Sequence, residues 1–140
     1  MQTEEKPLKD VLFIIGSESD VKPVEPGVAL LKEKGLSYDL EVISAHRNLD
    51  KLVSFLRDQE MNYRVIITAA GLSAALPGVV ASLTTRPVIG IPLISGALSG
   101  IDALLSILQL PKGIPVATMG IGKQGVLNAV HLAERIIGIC

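Results

Sequence analysis

His46, one of two histidines, stands beside an arginine in Ser44-Ala45-His46-Arg47. An imidazole moves protons near neutral pH. A guanidinium grips a phosphate through a two-pronged hydrogen bond. Upstream, Gly16-Ser17-Glu18-Ser19-Asp20 combines small residues with two hydroxyls and carboxylates. Such a stretch lets backbone N–H groups approach an anion at a helix start. It equally suits helix capping by Ser19 or Asp20. A third stretch, Ala69-Ala70-Gly71-Leu72-Ser73-Ala74-Ala75-Leu76-Pro77-Gly78, is small and uncharged. It would let a planar ligand lie against backbone, or a helix pack closely on a sheet. No GxGxxG, CxxC or Gly-Lys-Ser/Thr pattern is present, and nothing in the spacing joins His46 to His131 as metal ligands. Together these residue types favour proton transfer on a phosphorylated small molecule, without a metal.

The elements that must position these residues follow from apolar periodicity. Short apolar runs predict buried strands at residues 12–15, 38–43, 64–68, 87–91 and 115–119. Helical spacing predicts helices at 28–34, 48–60, 76–83, 101–110 and 126–137, with Gly35 and Pro111 as stops and Pro77 in a first turn. Pro23, Pro26 and Gly27 are expected to delay or kink the first helix. Five alternations of strand and helix predict a parallel sheet covered on both faces. The expected architecture is a three-layer α/β/α sandwich, flavodoxin-like, formed by a single catalytic domain over residues 11–140 after an N-terminal tail at 1–10. In such sheets ligands bind beyond the carboxyl ends of the strands, and all three chemistry-bearing stretches fall there. Ser95 to Gly100 forms a further polar loop after the fourth strand.

Bulk properties narrow the function. The 140 residues carry a formal net charge of −1 and no Lys/Arg cluster. Nucleic-acid binding needs many phosphate-neutralising cations and is not expected. Apolar stretches are interrupted well before the length of a membrane span, so no membrane partner is expected. Hydrophobic residues make up 49% of the chain, with mean hydropathy +0.48. That implies a large core or surface buried between identical subunits. The sole cysteine, Cys140, cannot form an intrachain disulfide and suits a reducing, cytoplasmic setting. The charged start (Glu4, Glu5, Lys6) does not read as a signal peptide. Lys123, His131 and Cys140 read as surface residues.

Several motifs in one order resemble class I N5-carboxyaminoimidazole ribonucleotide mutases. They are Gly16-Ser17-Glu18-Ser19-Asp20, Ser44-Ala45-His46-Arg47, Leu76-Pro77-Gly78, Thr84 with Pro87-Val88-Ile89-Gly90, Gly100-Ile101-Asp102-Ala103-Leu104-Leu105-Ser106 and Gln109-Leu110-Pro111-Lys112-Gly113. The resemblance runs from about residue 11 to about residue 133. It implies a flavodoxin-like homo-oligomer, an octamer, using no metal or organic cofactor. The implied activity moves a carboxylate from N5 to C4 of a ribonucleotide substrate in purine biosynthesis. It also implies that Ser17, Ser19, Asp20, Ser44 and Arg47 hold the ribose phosphate and that His46 is the acid–base residue. Ala70, Gly71 and Ala74 are implied as a dry wall retaining carbon dioxide, with Leu76 also in the substrate site.

The chain departs from the family pattern at named positions. Ala75 stands where a histidine is usual, Ala69 and Leu72 where glycines are usual, and Asn48-Leu49 where Thr-Pro is usual. The sequence also ends soon after the last core helix, where members usually carry a helical extension. Assembly is expected to be weakened by this rather than abolished. Three alternatives remain open at this stage. They are an aminoimidazole ribonucleotide carboxylase using free carbon dioxide, a more distant pyridinium nucleotide carboxylase, and a non-catalytic nucleotide-binding paralogue.

Overall fold

The computed structural model describes residues 7–139. Four strands, β1 (Lys9–Ile15), β2 (Tyr38–Val42), β3 (Tyr63–Ala70) and β4 (Val88–Pro92), form a parallel sheet in the order β2-β1-β3-β4. Five helices connect or follow them: α1 (Val21–Glu33), α2 (Leu49–Gln59), α3 (Leu76–Ser82), α4 (Ile101–Leu108) and α5 (Lys123–Ile137). This is the flavodoxin-like three-layer arrangement expected from the apolar pattern.

Strand alternation explains why the runs are continuously apolar. Val11, Phe13 and Ile15 of β1, with Val65, Ile67 and Ala69 of β3, pack under α1 and α5. Leu12 and Ile14, with Ile66 and Ala70, pack under α2, α3 and α4. Successive side chains point to opposite faces and both faces are covered, so neither position tolerates a polar residue. Thr68 is the exception, fully buried, and its hydroxyl donates to the Ile89 carbonyl at 3.2 Å. A buried hydroxyl is tolerated when bonded in this way.

Three local expectations are corrected. Helix α1 starts at Val21 and runs unbroken to Glu33, so Pro23 and Pro26 do not delay it. Pro23 lies in the first turn, where an N–H would have no intrahelical acceptor. Pro26 does remove one bond, but the carbonyl it would have used belongs to the exposed residue Lys22. Gly27 is needed where it stands, because a Cβ there would lie 2.6 Å from Val126 Cγ1 of α5. A salt bridge from Lys34 Nζ to Glu134 Oε1 at 3.0 Å closes the same helix pair.

The expected fifth strand at 115–119 is reduced to one isolated bridge between Ala117 and Ile89. Ala117 still donates to the Val88 carbonyl and accepts from the Gly90 N–H. Pro115 has no N–H to extend the ladder, and Gly120, at φ 130°, ends the extended run. At the other end, Lys9 and Asp10, read as tail, belong to β1. Asp10 accepts from the Ser37 backbone N–H at 3.0 Å. The readings made on Glu4, Glu5, Lys6 and Cys140 lie outside the described residues.

Candidate active site

The loops at the carboxyl ends of β1, β2, β3 and β4 surround one cavity of about 280 Å³. Ser17 leaves β1 in extended conformation and caps a single 3-10 turn, Glu18–Asp20, that leads into α1. Its Oγ accepts from the Ser19 N–H at 3.3 Å and lies 3.0 Å from Ser19 Oγ. Asp20, one of the two caps expected from the sequence, is the N-cap residue of α1 but makes no side-chain cap bond, and the side-chain cap is that of Ser17 on the 3-10 turn. Asp20 is half-buried, and burial pushes its carboxyl above the ordinary value. Backbone hydrogen bonds from Ser17 and Gly16 offset part of that.

After β2, Ser44 organises a tight turn. Its Oγ accepts from the Arg47 N–H at 3.1 Å, and its carbonyl accepts from the Asn48 N–H at 3.0 Å. The side chains of His46 and Arg47 stand exposed on this turn, at the cavity wall. Arg47 is the only cation lining the cavity and makes no salt bridge among the described residues.

The β3 side is built differently. Ala70 ends the strand, and its carbonyl accepts from the Leu93 N–H at 2.9 Å. This bond carries sheet pairing past the end of β4 and sets Ser95 beside Gly71. A Cβ on Gly71 would lie 2.8 Å from Ser95 Cβ, so only glycine permits this approach. Leu72 follows at φ 56°, an uncommon conformation for a side chain with a Cβ. Ser73, Ala75 and Leu76 complete this wall.

Of the residues singled out from the sequence, Ser17, Ser19, Asp20, Ser44, His46, Arg47, Ala70, Gly71 and Leu76 all line the cavity. Ala74 does not. It is buried in the core beneath the loop, among the residues under α2, α3 and α4, and Ala75 takes its place in the wall. Sequence reasoning missed Ser73 and Ser95 as lining residues. The usable signal for Ser95 was its position just after the fourth strand. His131 is exposed on α5, in a different surface cavity with Met119 and Arg135. Lys123 is also exposed. Among the described residues, no three of His, Cys, Asp and Glu come together as a metal-ligand set. No helix among them is long and apolar enough to cross a membrane.

This geometry can bind an anion at Arg47 and the serines, and present an imidazole to a group lying on the small-residue wall. Comparison with known proteins shows the family. The family model described as AIR carboxylase matches residues 10–140. The chain is 46% identical over 128 residues to the N5-carboxyaminoimidazole ribonucleotide mutase of Escherichia coli K12, covering 91% of this chain and 76% of that protein. It is 47% identical over 136 residues to the protein of the same name from Pyrococcus horikoshii, covering 96% and 75%. Among solved structures, Treponema denticola PurE superposes with a TM-score of 0.82 at 33% identity, covering 96% of this chain and 82% of that one. The chain belongs to the AIR carboxylase family.

Proposed function

We propose that this chain is a mutase of purine biosynthesis that moves the carboxylate of N5-carboxyaminoimidazole ribonucleotide from N5 to C4. One observation carries the reading. A single cavity joins His46, Arg47 and three bonded serines on the β1 and β2 loops to an uncharged wall on β3. The names of relatives 46% and 47% identical supply the reaction. They favour the mutase over direct carboxylation.

In this mechanism Arg47, Ser17, Ser19 and Ser44 hold the phosphate, and Asp20 the ribose. The His46 imidazolium donates a proton to N5 as the N5–carboxyl bond breaks, releasing carbon dioxide. The carbon dioxide stays against Ala70, Gly71, Ala75 and Leu76. C4 of the electron-rich imidazole then attacks its carbon. Neutral His46 removes the C4 proton, restoring both aromaticity and its own charge. One proton leaves His46 and one returns, so the cycle needs no external acid or base.

We also read the chain as a homo-octamer working in the cytoplasm. Ile94, Leu98, Ile101, Leu105 and Leu108 are exposed around α4, an apolar surface that a second copy would cover. The lone cysteine and the nucleotide chemistry fit the location.

The deciding experiment supplies purified protein with N5-carboxyaminoimidazole ribonucleotide, or with aminoimidazole ribonucleotide plus bicarbonate. Rapid formation of the 4-carboxylated product from the first mixture alone is expected. Product from the second mixture at the higher rate would establish the direct carboxylase instead. Binding without turnover in either would establish the non-catalytic alternative.

A further inference from the structure

A second cavity, of about 430 Å³, opens on the outer face of α5 and shares no residue with the first. It is lined by Asn128, His131, Leu132 and Arg135 of α5 and by Met119 of the segment before that helix. Every polar side chain in it can donate a hydrogen bond, and no carboxylate lines it. His131 and Arg135, four positions apart, are neighbours on the helix surface, and Asn128 stands three positions before His131. Neither His131 nor Arg135 makes a salt bridge among the described residues. The only carboxylate of α5, Glu134, is engaged at the end of α1, where Lys34 Nζ holds it at 3.0 Å. Helix electrostatics explain part of this. A cation in the last turn complements the negative end of a helix, and Arg135 stands there. That accounts for Arg135 alone. It does not account for an imidazole and an amide further back on the same face, sharing one cavity with Met119 and Leu132.

We infer that this cavity is a second ligand site, for a phosphate monoester with a planar or apolar body, such as a nucleoside monophosphate. The Arg135 fork grips the phosphate, and His131 donates a further bond to it. Asn128 and Arg135 lie about 10 Å apart along the helix axis, too far for one phosphate to engage both. The body of the ligand therefore runs along Leu132 and Met119 toward Asn128, whose amide can donate to or accept from its polar edge. Convergent donors with no carboxylate among them select an anion. The two apolar side chains select an ester over inorganic phosphate, because only the ester covers them.

Met119 makes the site directly observable. The chain has three methionines, Met1, Met61 and Met119, and only Met119 lines this cavity. The whole chain, isotopically labelled at its methionine methyl groups, is titrated by NMR with adenosine monophosphate, adenosine and inorganic phosphate. The Met119 signal should move and saturate with the nucleotide, while Met61 stays in place. Inorganic phosphate should be weaker by about tenfold, and adenosine should leave Met119 unmoved at the same concentrations. His131→Gln and Arg135→Gln lie at exposed positions and keep the fold. Each should weaken the nucleotide's effect on Met119, and the two together should weaken it about tenfold or more. Arg47→Lys alters the first cavity and should leave the Met119 titration unchanged. A Met119 signal that does not move, or that moves equally with adenosine, would overturn the inference. So would a shift that survives the double variant. A shift lost in Arg47→Lys would trace the effect to the first cavity and overturn it as well.

Discussion

The hydroxyl of Ser44 accepts a hydrogen bond from the backbone N–H of Arg47 at 3.1 Å, closing a turn with His46 between them. The bond fixes where the side chains of His46 and Arg47 leave the backbone. Ser44 thereby does two jobs, shaping the turn and lining the cavity.

Ser44→Ala should therefore affect binding more than stability. Losing one partly exposed bond is expected to cost about 1 kcal/mol of folding free energy, measured by urea denaturation. Nucleotide affinity should fall by about tenfold, because Arg47 loses its fixed exit and the phosphate loses a hydroxyl. Unchanged affinity would detach the turn from the site.

Arg47→Lys replaces a planar fork with a point charge. Calorimetry should show nucleotide affinity falling by about tenfold with little change in melting temperature. Full retention of affinity would remove Arg47 from the phosphate site.

Gly71→Ala places a Cβ 2.8 Å from Ser95 Cβ. The loops after β3 and β4 must then separate, at an expected cost of about 1–3 kcal/mol. Adding Ser95→Gly should recover most of that stability in a double-mutant cycle. Simple additivity of the two stability effects would show that the loops do not touch as described.

Asp39 on β2 gives the fold a pH signature. The hydrogen bond from Lys9, then that from Tyr63, holds its carboxyl below the ordinary value. A depressed carboxylate contributes stability that is present above its unfolded value, near pH 4, and lost as pH falls through the folded one. Asp39→Asn should thus lower stability at pH 7 by urea denaturation, with the difference from wild type shrinking below about pH 4. Tyr63 runs the other way. Burial and the Asp39 bond push its phenol well above the ordinary value. Its contribution is present below about pH 10 and lost as pH rises through the higher folded value. A constant Asp39→Asn difference across the acid range would contradict the ion-pair assignment.

Much of this was legible because the sheet is buried on both faces. Every position of Leu12-Phe13-Ile14-Ile15 is fully buried, so the strand announces itself in sequence. The same burial makes strand ends visible, which is why His46 and Arg47 could be placed at a sheet edge. What was not legible depends on three-dimensional approach. Residues 115–119 look like a strand, but Pro115 and Gly120 leave room for only one bridge. Ala74 and Ala75 are identical side chains, and only the loop path decides which enters the cavity and which the core. Ser95 becomes a wall residue only because the Leu93–Ala70 bond and the missing Cβ of Gly71 bring two loops together. Only its position just after the fourth strand pointed to the cavity.

The central claim is that His46 cycles one proton through both halves of the reaction, and His46→Asn tests it most directly. Asparagine keeps size and hydrogen bonding but cannot exchange a proton near neutral pH. Ala75, in the β3 wall of the same cavity, offers no substitute acid or base, and His131 lies in another cavity. Turnover of N5-carboxyaminoimidazole ribonucleotide should fall by about 100- to 10,000-fold. Affinity for the nucleotide should change by less than about threefold, because Arg47 and the serines still hold the phosphate. A folded His46→Asn variant that binds nucleotide and turns it over at close to the wild-type rate would contradict the account.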